Sequence, residues 1–140
     1  MGTPAITPDH LNKVVVGFLS GGRTRGYVHD FSPLEESFEL LPQDDPLQGQ
    51  GVTVAIKDLK AVFFVWEFTG NVESQSSPRR GAPTAGRIIE VTFTDGEKIV
   101  GKTEGHNSQR SGFFMYPADP RDNNIRIFVV TKNTRQVRLV

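Results

Sequence analysis

Three histidines and a lack of cysteine set the first limits on the chemistry of this chain. Without cysteine, the 140-residue sequence cannot form a disulfide scaffold, a thiolate zinc site or a cysteine nucleophile. His10, His29 and His106 show no spacing typical of metal ligands, such as two histidines on one helical face. No Gly-x-Ser-x-Gly turn occurs, and no serine is arranged with a histidine and an acid in a recognisable order. We therefore predict a protein that is not an enzyme and that uses no metal or other cofactor.

Two aspartate-rich loops are the remaining candidates for a metal, because carboxylate oxygens are the ligands that calcium prefers. They are Gln43-Asp44-Asp45 and the loop from Asp119 to Asn124. Neither has the ordered ligand series of an EF-hand loop. We interpret both as turns, in which aspartate and asparagine side chains bond to nearby backbone.

The charge and hydropathy of the chain exclude further classes. Sixteen basic residues balance 16 acidic residues, so no overall field attracts nucleic acid or an anionic membrane. The first ten residues lack the apolar core of a signal peptide. No apolar run approaches the roughly 20 residues of a membrane helix. These features predict a soluble, cytoplasmic protein without a membrane partner.

An internal similarity predicts the elements that must position any site. Lys13 to Val65 aligns without a gap onto Ile88 to Val140, an offset of 75 set by Lys13 and Ile88. Small units bury small cores and are marginally stable alone, so we expect the two copies to pack on each other or on another chain. The identical pairs include Phe18 and Phe93, Gly21 and Gly96, Gly26 and Gly101, Phe38 and Phe113, and Pro42 and Pro117.

Each copy predicts five short antiparallel strands. The β-branched run Val14-Val15-Val16 favours a strand over a helix. Ser20-Gly21-Gly22 and Asp95-Gly96 are typical of hairpin turns. Gly26 and Gly101 each fall inside the second strand of a copy, where glycine indicates a bulge or sharp bend. Short, strongly bent strands of this kind favour a small barrel, which hides its edges by curling on itself.

The fold class predicted is all-β, with two tandem five-stranded, strongly bent antiparallel small barrels related by internal duplication. Residues 1–12 are a leader with a possible short helix, and residues 13–69 form the first barrel. Residues 70–87, rich in serine, proline and glycine, indicate a flexible linker. Residues 88–140 form the second barrel.

The hairpin segments carry a resemblance. In the second copy the segment from Val91 to Gly101 reads VTFTDGEKIVG, and in the first the segment from Val16 to Gly26 reads VGFLSGGRTRG. Each copy resembles an Sm-like, or SH3-like, small barrel. The whole chain also resembles a bacterial family of tandem domains of unknown function, through Asp58 to Val65 (DLKAVFFV) and Gly112 to Pro120 (GFFMYPADP). That family offers no established activity.

The Sm-like resemblance implies RNA binding by the loops that follow strand two and that join strands four and five. His29, Asp30 and Phe31 in the first copy, and His106 and Asn107 in the second, could stack on bases or hydrogen-bond to them. The Arg-Gly pair typical of the second of these loops is missing from both copies. Ordinary solvated loop residues are the simpler interpretation.

A cyclic-dinucleotide receptor of the PilZ type is similar to this chain in size and β content. Such receptors grip phosphate with an Arg-x-x-x-Arg segment, whose guanidinium forks match phosphate oxygens, and with an Asp/Asn-x-Ser-x-x-Gly turn. The segment from Asp30 to Glu35 opens that turn but ends in glutamate. Arg23 and Arg25 have a different spacing, so surface arginines are the simpler interpretation.

The most informative apolar stretch is the last strand of the first copy, Leu59 to Phe68. A strand with one solvated face should alternate, but this strand is apolar on both faces for most of its length. We hypothesise that Phe63, Phe64, Trp66 and Phe68 form an inter-barrel or subunit interface. An ordinary intramolecular core strand explains the pattern equally well.

These observations predict a non-enzymatic interaction or assembly module. It would bind a protein partner or self-associate through strand edges and the aromatic face. The alternative is an RNA- or cyclic-dinucleotide-binding protein that uses the loops after strand two of each barrel.

Overall fold

A computed structural model describes residues 11–29, 31–47, 49–68, 86–103, 111–117 and 123–139. Within these ranges the protein is all-β, with ten antiparallel strands in one sheet and almost no helix. Two single 3₁₀ turns, Ile56–Asp58 and Thr131–Asn133, lead into strands β5 and β10. The strands are β1 (Asn12–Phe18), β2 (Arg23–Val28), β3 (Ser37–Pro42), β4 (Val52–Ala55), β5 (Leu59–Val65), β6 (Arg87–Phe93), β7 (Lys98–Thr103), β8 (Gly112–Pro117), β9 (Asn124–Val130) and β10 (Thr134–Leu139).

The predicted leader and linker fall mainly on residues outside these ranges, and the domain boundaries stay predictions.

The two hairpins lie where the glycine pairs indicate. Gly21 has a φ of +103° and Gly96 a φ of +94°, a region that favours glycine. Each turn closes with a bond from the glycine amide to the last residue of the preceding strand, Gly21 to Phe18 and Gly96 to Phe93, both at 2.9 Å.

The strand order across the sheet is β10-β6-β7-β8-β9-β5-β1-β2-β3-β4. The expectation of two separate five-stranded barrels is not confirmed, because this sheet is not closed. The physical reason lies in β5, which pairs with β1 along one edge and with β9 along the other. The first five strands therefore continue into the last five. We call strands β1–β5 the first half and strands β6–β10 the second half.

The bounds of the first three strands of the first half recur 75 residues later. For example, β2 begins at Arg23 and β7 begins at Lys98. The pairing register recurs as well: Val15 opposes Phe63 in the first half, and Glu90 opposes Arg138 in the second. Even the register shift between the first and last strand of each half falls at equivalent positions. The two halves thus share one strand order and one register.

Two clusters of buried side chains form the core. The first contains Val14, Val16, Val28, Leu40, Val54, Ile56, Leu59, Val62, Phe64, Phe128 and Val130. The second contains Ala61, Phe63, Val65, Ile89, Val91, Phe93, Phe113, Met115, Ile127 and Val129. Each cluster includes residues from both halves, so neither half encloses a core made only of its own strands.

Candidate functional site

The contact between β5 and β9, which we call the junction, joins the two halves. All seven residues of β5 are buried. The register places Val62 opposite Phe128 and Phe63 opposite Ile127. Phe63 and Phe64, two of the predicted interface residues, are 8% and 2% exposed. Their side chains therefore lie inside this chain.

Both junction strands are buried on two faces because alternate side chains enter different clusters. On β5, Phe64 packs in the first cluster and Phe63 in the second. On β9, Phe128 packs in the first cluster and Val129 in the second. A strand with core on both faces has no wet side. This explains why the last strand of the first half lacks polar alternation.

Polar contacts also join the two halves near the junction. The side-chain amide of Asn133 donates to the carbonyls of Lys57 and Leu59, at 2.9 and 2.7 Å. The hydroxyl of Ser111 donates to the carbonyl of Pro33 at 3.3 Å. Each bond joins second-half residues to first-half backbone. They therefore fix the register between halves as well as adding stability.

Lys60 is the buried cation of the junction. Its ammonium donates to the Asp95 carboxylate at 2.8 Å, pairs with Glu97, and lies 4.9 Å from the centre of the Phe93 ring. Desolvation lowers the pKa of Lys60, but the hydrogen bonds and charges of Asp95 and Glu97 together raise it above its ordinary value. The hydrogen bond from Lys60 and the amide of Glu97 lower the pKa of Asp95. The buried lysine thus links β5 to the hairpin of the second half.

An aromatic cluster lies on the first-half side of the junction. The Phe31 ring, proposed above as a base-stacking group, packs edge-on against Phe64 at 5.4 Å and Phe128 at 5.2 Å. The Arg126 guanidinium lies 4.5 Å from the Phe64 ring centre and 4.3 Å from that of Phe114. Burial lowers the pKa of Arg126, and the charge of Tyr116 partly opposes that shift. Phe31 is therefore part of an internal cluster.

The other predicted residues lie at different places. Trp66 is half-buried just beyond β5, where its backbone amide donates to the Asn123 carbonyl at 2.9 Å. Phe68 packs edge-on against Tyr27 at 5.3 Å. His29 is half-buried at the end of β2. The predicted loop residues Asp30, His106 and Asn107 lie outside the described residues.

Sequence reasoning missed β9 as the partner of β5. Its segment from Ile125 to Val130 reads IRIFVV, which is apolar on both faces apart from Arg126. In the first half, 75 residues earlier, Thr53 is the equivalent of Phe128 and Ala55 is the equivalent of Val130. This difference between two strands at equivalent positions was a signal that β9 packs against residues that β4 does not contact.

The outer strands of the sheet, β4 and β10, are the positional counterparts of β9 and β5. Each has one edge that pairs with no other described strand. Val52 on β4 is 62% exposed and Leu139 on β10 is 56% exposed. Exposed apolar side chains on an unpaired edge are typical of a surface that accepts another strand.

A cavity of about 660 Å³ opens on the second-cluster side of β1, β2 and β5. Arg23 and Arg25 line one wall, and the apolar side chains of Val15, Phe63 and Phe68 line the floor. The lining contains no acidic residue among those described. The cavity is therefore a local basic site in a chain of zero net charge.

Metal centres and membrane spans are two further classes of site. In the described ranges, no group of three or more histidine, aspartate or glutamate side chains could hold a metal ion. No helix in the same residues is long and apolar enough to cross a membrane.

Comparison with known proteins gives a family match. Residues 10–140 match a protein family of unknown function, DUF6982. No curated protein and no solved structure matches the chain. The match spans both halves and the junction between them. The chain is therefore a member of this family of unknown function.

Proposed function

We propose that the chain is a non-enzymatic assembly module that self-associates head to tail, with β10 of one copy pairing with β4 of the next. The observation that carries the proposal is the junction. In it, the fourth strand of one half pairs with the fifth strand of the other. The two edges that pair with no other described strand belong to the remaining fourth strand, β4, and the remaining fifth strand, β10. A second copy of the chain therefore offers each edge the kind of partner that the junction uses.

The junction also supplies the expected register. Within the chain Phe63 opposes Ile127. The residue 75 positions after Phe63 is Arg138, and the residue 75 positions before Ile127 is Val52. The equivalent contact between copies therefore places Arg138 of one copy opposite Val52 of the next. Antiparallel strands accept only registers that match their buried faces, so this pairing is the specific form of the proposal.

The exposed edge residues support an intermolecular contact. Val52 is 62% exposed, whereas its counterpart Ile127 is 5% exposed in the junction. Leu139 is 56% exposed, and its counterpart Phe64 is 2% exposed. Pairing between copies would cover both apolar side chains, and burial of one such side chain is worth about 1.5–3 kcal/mol.

The contact between copies should be weaker than the junction. Thr53 stands where the junction has Phe128, and Gln136 and Arg138 stand where it has Ala61 and Phe63. Charged side chains on edge strands limit uncontrolled pairing. We therefore propose a reversible contact that forms as the concentration rises.

We also propose that the two halves arose by internal duplication and that each is a strongly bent, Sm-like unit. The shared strand order, the shared register and the offset of 75 support this history. A head-to-tail contact between such units either closes into a ring or continues as a filament.

Light scattering during size-exclusion chromatography tests the proposal. We expect a mass above that of one chain, rising with concentration, and a Val52→Lys variant that weakens association by about tenfold or more. Val100→Lys is the matched control, because Val100 is 50% exposed on the internal strand β7. A wild-type chain that stays monomeric at all concentrations would instead favour a different protein as the partner. Equal effects of both variants would also count against β4 as the contact.

A further inference from the structure

We propose that the cavity beside Arg23 and Arg25 binds a small phosphate monoester with a planar ring, such as a nucleoside monophosphate. This inference goes beyond self-association and does not depend on it. The cavity lies on the sheet face, whereas the proposed assembly uses the strand edges. Each proposal can therefore fail without the other.

The sheet register brings both arginines to one face. Arg23 and Arg25 are two residues apart on β2, and alternate residues of a strand share a face. Arg23 opposes Gly17 and Arg25 opposes Val15 on β1, and Val15 in turn opposes Phe63 on β5. Across the sheet, the two arginines on β2 are therefore followed by apolar residues on β1 and β5.

The positive charges of Arg23 and Arg25 are only weakly balanced by acidic side chains of the described residues. Arg25 is exposed on β2. Arg23 reaches Glu97 only at 3.5 Å, and the two side chains are 56% and 40% exposed. An exposed ion pair of this length contributes little energy. Most of their donors are therefore available to a ligand, and a guanidinium fork matches two phosphate oxygens.

The floor of the cavity suits a ring. The Arg23 guanidinium lies 5.5 Å from the centre of the Phe63 ring, and Gly17 leaves space beside that ring. Phe68, held edge-on by Tyr27, adds a second aromatic wall. At about 660 Å³ the cavity falls within the usual range for small-molecule sites, roughly 300–1,000 Å³.

Asn123 holds the rim opposite the arginines. Its side-chain oxygen accepts from the Glu67 amide at 3.1 Å, and its side-chain nitrogen donates to the Glu67 carbonyl at 2.8 Å. These bonds hold the segment that carries Phe68 against the start of β9. Gln43 and Asn124 also line the cavity, where amides can distinguish ring substituents. Asn123 therefore acts as a positioning residue.

Calorimetric titration of the full chain with adenosine monophosphate, adenosine and inorganic phosphate tests the proposal. We expect adenosine monophosphate to bind more tightly than either fragment, because the phosphate and the ring use different walls. Arg25→Met and Arg23→Met should each weaken that binding about tenfold or more, the usual scale for a lost charge-assisted hydrogen bond. Each variant's melting temperature should stay near that of the wild type, since both side chains are exposed.

Lys98→Met is the matched control, because Lys98 occupies the position of Arg23 in the second half and does not line the cavity. It should leave the affinity unchanged. No binding of adenosine monophosphate at millimolar concentration would overturn the proposal, as would equal losses in all three variants. Binding of single-stranded RNA that depends on Arg25, without binding of the mononucleotide, would overturn it in favour of a nucleic-acid site.

Discussion

At the scale of single residues, Lys60 is the one charged residue that is buried among the described residues. Its side chain is nearly buried, yet its ammonium reaches two carboxylates on the hairpin of the other half. A buried cation that lost both carboxylates would be uncompensated, which is costly. The Lys60 ammonium also lies 4.9 Å from the centre of the Phe93 ring, so its contribution combines ion pairing with a cation–π contact.

Two substitutions separate these contributions. Lys60→Met keeps the length of the stem and removes the charge, so we expect the free energy of unfolding to change by less than about 1 kcal/mol. Lys60→Ala removes stem and charge and should lower it by about 2–3 kcal/mol. Chemical denaturation at neutral pH measures both. Equal losses in the two variants would show that the ion pair, and not the packing of the stem, supplies most of the stability that Lys60 contributes.

The same group predicts a pH dependence. Asp95 has a lowered pKa, so its contribution is present above its ordinary value of 3.8 and is lost as the pH falls through the folded value. Lys60 has a raised pKa, so its contribution is present below 10.5 and is lost as the pH rises through the folded value. In Lys60→Met the loss of stability at alkaline pH should be smaller than in the wild type. Identical alkaline profiles in denaturation experiments would contradict this role for Lys60.

At the scale of strands, the glycine inside the second strand of each half allows a close approach of the third. A Cβ on Gly26 would lie 2.5 Å from the carbonyl oxygen of Leu41 and 2.9 Å from the Leu40 side chain. A Cβ on Gly101 would meet the carbonyl of Tyr116 in the same way. Backbone atoms cannot yield as a flexible side chain can. The strand must therefore shift wherever a larger residue replaces either glycine.

We expect Gly26→Ala to lower the free energy of unfolding by about 1–3 kcal/mol, the usual cost of forcing extra atoms into a packed site. Gly22→Ala is the matched control, since no atom lies within 4 Å of the added Cβ and its φ is not positive. That variant should be neutral or slightly stabilising. Urea denaturation measures both. A Gly26→Ala variant as stable as Gly22→Ala would show that β2 and β3 are less closely held than the structure indicates.

Most strands were predictable from local sequence, because their signals are local. The β-branched run at Val14, the turn glycines Gly21 and Gly96, and the proline that ends β3 each act within a few residues. The pairing of β5 with β9 was not predictable in this way. It depends on residues about 60 to 70 positions apart and on which edges are free after each half has formed. The apolar residues on both faces of β5, such as Phe63 and Phe64, and those of β9 were the hints that each strand is covered on two faces.

The candidate sites also divide into features that local sequence predicts and features that depend on the packing of distant strands. The sequence showed that β5 is apolar on both faces, but it did not show which residues pack against the second face. The arginine cavity needs β1, β2, β5 and the start of β9 together. Sequence spacing alone therefore showed Arg23 and Arg25 only as surface residues. Phe31 was expected in an exposed loop, but its ring packs against Phe64 and Phe128 because the junction brings those rings together.

At the scale of the whole molecule, the sheet is a row of two similar halves that ends in two different edges. The contact that joins the halves occurs once inside the chain. The ends of the sheet again offer a fourth and a fifth strand, β4 and β10, each with one edge that pairs with no other described strand. A free edge with an exposed apolar side chain tends to recruit another strand. Head-to-tail pairing of copies would satisfy both edges with one kind of contact.

Site-specific disulfide formation between copies tests this pairing most directly, since the chain has no cysteine of its own. Chains carrying Val52→Cys are mixed with chains carrying Arg138→Cys under mild oxidation. Thr53→Cys replaces Val52→Cys as the control, because its side chain points to the opposite face of the same strand. Head-to-tail pairing predicts a covalent dimer from the first mixture and little from the control mixture. Equal yields from both mixtures, or no dimer at concentrations where the chain self-associates, would contradict it.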